Sequence, residues 1–194
     1  MTATSTKDKA LIEASNLSQQ VGFKNFSIQQ VADKLGIKQP SIYRHFTSKD
    51  ELGEAMIGLY RESFRTMKET IEDLDPRAQI DAYFSLAAKF CLADKVCGFV
   101  ALLGDYNALP KSMQRLVDKM LEDQKEWLSS VIKRGQKEHL FRKDRKADEI
   151  AEIVISGYVG TQMLGKVTAN LATIEYMKET ILEFLKIKNS GAKE

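Results

Sequence analysis

Apolar residues recur at helical spacing along almost the whole chain, with no strand-period alternation, internal repeat or low-complexity tract. From Lys7 to Val21, the positions Ala10, Leu11, Ala14, Leu17, Ser18 and Val21 mark one helix face, which Gly22 stops. Ile28, Val31, Ala32 and Leu35 fall at i, i+3, i+4 and i+7 of a second helix. Ser27 can cap it through its hydroxyl while Gln30 reaches back, making a capping box, and Phe26 with Val31 occupies the staple positions. Gly36 suits the left-handed exit, Ile37 plugs the turn, and Pro40 opens a short third helix over about Gln39 to Phe46, anchored by Ile42 and Phe46.

A longer pattern begins at Ser48, where Glu51 completes another capping box, and runs through Met56, Tyr60, Phe64, Met67 and Ile71 until Asp75-Pro76. Such a helix links whatever its two ends touch. Pro76 opens a helix carrying Ile80, Tyr83, Phe84, Ala87, Phe90 and Cys91, ending near Asp94 to Gly98. A shorter one spans Phe99 to Leu109, and a long amphipathic one runs from Lys111 to Leu140 with Met113, Leu116, Val117, Met120, Leu121, Trp127, Leu128, Val131 and Ile132 on its apolar side. After the polar stretch Arg142 to Lys146 come two last helices, about Ala147 to Ala169 and Thr173 to Lys188. The expected fold is all-α, with nine helices in two domains: residues 1–47, residues 48–188, and a disordered tail at 189–194.

Composition changes this picture little. At 194 residues the chain can bury a core without disulfide or metal staples. The net charge of +2 is shared by the first 52 residues, where seven Lys or Arg face five Asp or Glu, so basicity alone points to no partner. No apolar run approaches the roughly 20 residues of a membrane helix, and the start lacks a signal segment. The two cysteines form no disulfide framework, and the expected location is the cytoplasm.

The local arrangement is more informative. Two crossed helices joined by a tight turn, the second presenting hydrogen-bonding side chains, suit the major groove of duplex DNA. Gln39, Pro40, Ser41, Tyr43, Arg44 and His45 are the candidate groove residues, with Ser27, Lys38 and Lys49 on phosphates, the last at a helix N-terminus. Tyr43, flanking the Ile42 face, also reads as core, and His45 as ordinary surface.

Phe26-Ser27-Ile28, Val31-Ala32, Leu35-Gly36-Ile37, Ser41-Ile42-Tyr43-Arg44-His45-Phe46 and Ser48-Lys49-Asp50-Glu51-Leu52, with Leu17 and Gly22-Phe23 upstream, resemble the N-terminal signature of the TetR family of bacterial transcriptional regulators. The resemblance covers roughly residues 7–55. It implies a homodimeric, all-helical repressor whose second domain binds a small effector and so releases a palindromic operator. One departure is Lys38, in a turn where family members often carry Ser or Thr; a lysine there adds a phosphate contact.

Under that resemblance the middle helices would hold an apolar or aromatic effector with a polar end. Tyr60, Phe64, Tyr83, Phe84, Phe90, Phe99, Tyr106, Met120, Gln124, Trp127, Tyr158 and Gln162 are the candidates; the competing reading is plain core. Gly157, Gly160 and Gly165 are costly inside a helix, by about 1 kcal/mol each against alanine, unless another backbone approaches. Gly157 and Gly160 with Ile174, Met177, Ile181 and Phe184 are therefore candidates for a four-helix dimer interface, the alternative being that these faces finish one monomer's core. Cys97, beside Gly98 and near Lys95, is either an inert buried thiol or, as in some regulators of similar sequence, a sensor of oxidants or electrophiles.

Catalysis is poorly provided for. His45 and His139 are the only histidines, no Ser/His/Asp or Cys/His set has a second plausible member, and no Glu-x-x-His pair or phosphate loop is present. No metal, cofactor or membrane partner is expected. The rival to a DNA-binding regulator is a helical ligand carrier or interaction module with a vestigial helix-turn-helix.

Overall fold

A computed structural model describes residues 5–187. Among them are nine α-helices, a 3-10 turn at Tyr106–Ala108 and no strand. The helices are α1 (Thr6–Val21), α2 (Ile28–Leu35), α3 (Gln39–Tyr43), α4 (Lys49–Thr70), α5 (Pro76–Leu92), α6 (Gly98–Gly104), α7 (Lys111–Lys137), α8 (Ala147–Thr168) and α9 (Ala172–Leu185). The expected disordered tail lies outside the described residues.

The chain divides into two compact units, Met1–Met67 with Lys95–Met120, and Lys68–Asp94 with Leu121–Glu194. The division does not fall between residues 47 and 48 as the sequence suggested. Most of α4, all of α6 and the start of α7 belong with the first three helices, because their apolar faces close the same core. Leu52, Met56, Ile57 and Tyr60 of α4 are buried there, as are Val100 and Leu102 of α6 and Met113 and Val117 of α7.

In this first unit α1 packs against α2, α3 and α6, and α2 against α3. Both capping boxes of the early helices form: Ser5 with Asp8 on α1, and Ser27 with Gln30 on α2. Gly36 takes the left-handed conformation (φ 64°, ψ 30°) and its amide donates back into the last turn of α2. The box expected at α4 is only half made. Ser48 Oγ accepts the Glu51 amide at 3.0 Å, but the Glu51 carboxylate turns to the amide and hydroxyl of Thr47, both at 2.6 Å. Thr47 supplies two donors to one oxygen, and those bonds hold the Glu51 carboxyl below its ordinary pKa.

In the second unit α5 packs against α8 and α9, which also pack against each other. Asp75 caps α5 by accepting from the Arg77 and Ala78 amides at 2.9 and 3.0 Å. The helical pattern expected to run on to Asp75 stops at Thr70. The buried Gln79 side chain takes the carbonyls of Ile71 (2.7 Å) and Glu72 (3.1 Å), so the turn after α4 has its acceptors satisfied without helix.

Among the described residues no helix is long and apolar enough to cross a membrane, and no group of three or more His, Cys, Asp or Glu is placed to hold a metal ion.

Candidate nucleic-acid interface

The short third helix is held from one side only. Ile42 and Phe46 are buried, whereas Pro40, Tyr43, Arg44 and His45 are exposed and Gln39 and Ser41 half-buried. Ordered α-helix ends at Tyr43, three residues before the expected Phe46. Helical bonding nevertheless carries on through a tight turn: Arg44 N donates to Pro40 O at 3.2 Å, His45 N to Ile42 O at 2.9 Å and Phe46 N to Ile42 O at 3.0 Å. Arg44 and His45 therefore stay on the outward side of one continuous right-handed turn.

Lys38 stands at the N-cap of α3 and makes no side-chain cap bond, since an ammonium has no lone pair to offer the helix amides. Its side chain is exposed. Ser27, also exposed, uses its hydroxyl to accept from the Gln30 amide at 3.2 Å.

Lys49 is placed differently from the expected phosphate contact. Its Nζ donates to Phe26 O at 2.6 Å and to Lys24 O at 3.3 Å, and lies over the rings of Phe26 (4.5 Å) and Phe23 (4.7 Å). Burial pulls its pKa below 10.5, against the opposing charges of Asp105 and Asp50. The ammonium is spent on the loop between α1 and α2, whose two carbonyls and two rings the sequence alone does not bring together.

The effector candidates separate. Tyr60, Phe64, Phe99, Tyr106 and Met120 fall in the first unit, and Tyr83, Phe84, Phe90, Gln124, Trp127, Tyr158 and Gln162 in the second. Tyr60 is buried, accepts a hydrogen bond from Ser15 Oγ at 3.1 Å and has its ring under Gly98. Phe99 and Met120 are buried, Phe64 is half-buried, and Tyr106 donates to Asp118 at 2.7 Å, which raises its phenol pKa. In the second unit Tyr83 stacks on Tyr158 with ring centroids 4.0 Å apart, and Trp127 lies 5.4 Å from Tyr83 and Phe84 5.8 Å from Tyr158. The Tyr83 hydroxyl donates to Gln124 Oε1 at 2.9 Å, Gln162 is buried, and Phe90 is half-buried.

Of the interface candidates, Ile174 and Ile181 are buried inside the chain, not free for a partner. A Cβ on Gly157 would stand 3.3 Å from Met177 Sδ, and one on Gly165 3.5 Å from Ile174, so those two glycines admit α9 of the same chain. Phe184 is half-buried with the Arg142 guanidinium 4.5 Å over its ring. Of the candidate interface glycines, Gly160 opens onto free space. The sequence reading missed its neighbours Ile153, Met163, Leu164 and Val167, which are exposed; their spacing of +10, +11 and +14 from Ile153 puts them on one face of α8. That regularity was visible as pattern, but exposure was not. Cys97 is a buried thiol, outside any disulfide, at the start of α6, and Cys91 is half-buried in the second unit.

A capped amphipathic helix joined by a tight turn to a short helix with an outward polar side is a helix-turn-helix, the arrangement of DNA-binding regulators. Comparison with known proteins agrees at both ends of the chain. The family model described as bacterial regulatory proteins, tetR family, matches residues 11–56, and that described as tetracyclin repressor-like, C-terminal domain, matches residues 75–181. A transcriptional repressor of Mycobacterium sp. (strain GP1), DhaR, is 21% identical over 171 residues, 84% of each chain. A TetR regulator from Legionella pneumophila has a similar structure, with TM-score 0.87 and 25% identity, covering 96% of this chain and 100% of its own. One from Agrobacterium tumefaciens follows at TM-score 0.86 and 25% identity, covering 93% and 97%. The chain belongs to the TetR family: it is a DNA-binding transcriptional regulator and not an enzyme.

Proposed function

We propose that this regulator is a homodimeric repressor that reads a palindromic operator and releases it when an apolar or aromatic small molecule enters the C-terminal domain. The row of exposed Tyr43, Arg44 and His45 with half-buried Gln39 and Ser41, on a buried Ile42–Phe46 base, carries the reading. Arg44 pairs bidentately with guanine, Gln39 with adenine, and Lys38 and Ser27 hold phosphates. Repression, as opposed to activation, is supported by the named function of the mycobacterial relative.

Dimerisation is supported by the exposed face of α8. Val167 is 82% and Leu164 56% exposed, and Gly160 between Ile153 and Leu164 leaves room for a second backbone. Exposed apolar side chains in one row on a helix are characteristic of a surface that another chain covers. Two copies joined there present two α3 helices to half-sites about one helical turn, roughly 34 Å, apart.

The effector site is proposed around Tyr83, Phe84, Gln124, Trp127 and Tyr158. Four rings, Tyr83 and Tyr158 stacked and Phe84 and Trp127 set edge-on or tilted against them, supply apolar surface, and the Tyr83–Gln124 pair supplies an orienting hydrogen bond. Selection of bound sequences from random duplex DNA tests the reading at its base. Enrichment of a palindrome is expected; salt-sensitive, sequence-blind binding would instead favour the carrier reading. The enriched duplex then serves as the probe in a screen of aromatic compounds for release.

A further inference from the structure

The segment from Lys95 to Asp105 is fastened at both ends to the part of the first unit that carries the DNA-reading helices. At its start the Lys95 ammonium donates to Asn16 Oδ1 on α1 at 2.9 Å, and Val96 N donates to Gln19 O at 3.2 Å. Midway, Gly98 lies directly against the Tyr60 ring, where any side chain would collide. At its end Asp105, the residue after α6, reaches the loop between α1 and α2: Oδ2 accepts the Lys24 amide at 3.0 Å. The same oxygen stands 2.9 Å from where a Cβ on Gly22 would be, and Gly22 has a φ of 89° that L side chains rarely adopt. Two features of Gly22 thus keep the loop open to this one carboxylate.

Asp105 also acts on Lys49. Its charge favours the Lys49 ammonium against the cost of burial, and that ammonium closes the far side of the same loop through Lys24 O and Phe26 O. The loop leads straight into Ser27, the cap of α2, and α2 packs on α3. A bond spanning 81 residues therefore sits two short steps from the residues that face DNA.

The geometry points to Asp105 as a positioning residue for DNA binding: carried on the 95–105 segment, its carboxylate holds the α1–α2 loop, and through it the α2–α3 pair, in the arrangement that binds the operator. The inference rests on α3 being the DNA-reading helix. Removing the carboxylate loosens the loop at Lys24 and leaves Lys49 with less opposing charge. Binding DNA then has to reorder what the native chain already holds, which lowers affinity.

The test uses the full chain and the operator obtained by sequence selection. Asp105→Ala should weaken operator binding by about tenfold, the size expected for losing a charge-assisted hydrogen bond. Asp105→Asn, which keeps a carbonyl acceptor for the Lys24 amide, should recover part of that loss. Hydrogen exchange with and without operator separates positioning from general stability. In the native chain operator binding should slow exchange in residues 95–105 as well as 22–46, whereas in Asp105→Ala the protection should stay within 22–46. Operator affinity equal to native in both variants, or protection of 95–105 that survives Asp105→Ala, overturns the proposal. If Asp105→Ala does not fold, Asp105→Asn carries the same two measurements, with a smaller loss expected in each. A native chain that selects no sequence overturns the reading of α3 itself, which is a distinguishable result.

Discussion

The Lys49 ammonium donates to the carbonyl oxygen of Phe26 across 2.6 Å, so the first residue of α4 holds the chain just ahead of α2. A helix N-terminus attracts anions, and a lysine there can add a phosphate contact. Here two carbonyls and two aromatic faces already satisfy the charge.

Lys49→Ala should therefore act on stability more than on DNA. A loss of about 1 to 2 kcal/mol is expected in urea unfolding, from the charge-assisted bonds and the ring contacts. The slope of operator affinity against salt should stay as in the native protein, because no phosphate contact is removed. A flattened slope with unchanged stability would return Lys49 to the DNA face.

Tyr60 gives a pH signature. Burial pushes its phenol up to about 12 from 10.0, opposed by the hydrogen bond from Ser15. Between those values the folded chain keeps a proton that the unfolded chain has released, so this contribution to stability is whole below pH 10 and is lost as pH rises through about 12. Tyrosinate absorbance followed against pH should lose one late-titrating phenol in Tyr60→Phe. An unchanged late phase would mean that the Tyr60 hydroxyl is not held in the interior.

Arg44 and Lys38 should fail in different ways. Arg44→Ala removes a base contact and is expected to relax preference at one operator position by about 1 to 3 kcal/mol. Lys38→Ala should weaken every sequence alike and reduce the salt slope by about one unit. Competition binding with single-base operator variants at two salt concentrations reads both, and an equal loss on all sequences for Arg44→Ala would remove its base-reading role.

Val167→Glu should shift the protein from dimer to monomer in sedimentation while leaving the helical signal intact, since Val167 is 82% exposed. Operator affinity should fall with it, because two half-sites would no longer be engaged together. By contrast Ile174→Glu should unfold the second unit, since that side chain is fully buried within the chain, and a folded monomer from this variant would contradict its place in the core.

Local chemistry made much of the fold legible. The Ser27–Gln30 capping box, the Gly36 exit and the Ile42–Phe46 anchor involve residues within four positions of one another, and such features form for the same reasons in any context. Even there, Thr47 shows the limit. It captured the Glu51 carboxylate that the sequence pattern assigned to Ser48, because a hydroxyl and an amide together outcompete one amide.

What the sequence by itself determined is the all-helical class, the number of helices and the polar row of α3, since hydrophobic period, caps and turn residues are properties of short windows. Only the tertiary structure decided that the Lys49 ammonium lies over the Phe23 and Phe26 rings, that Ile174 and Ile181 belong to one chain's core while Leu164 and Val167 stay outside it, and that Asp105 meets Lys24. An amphipathic helix has one apolar face but several angles at which to bury it, and which side chains are left at the margin depends on neighbours brought together from distant parts of the chain.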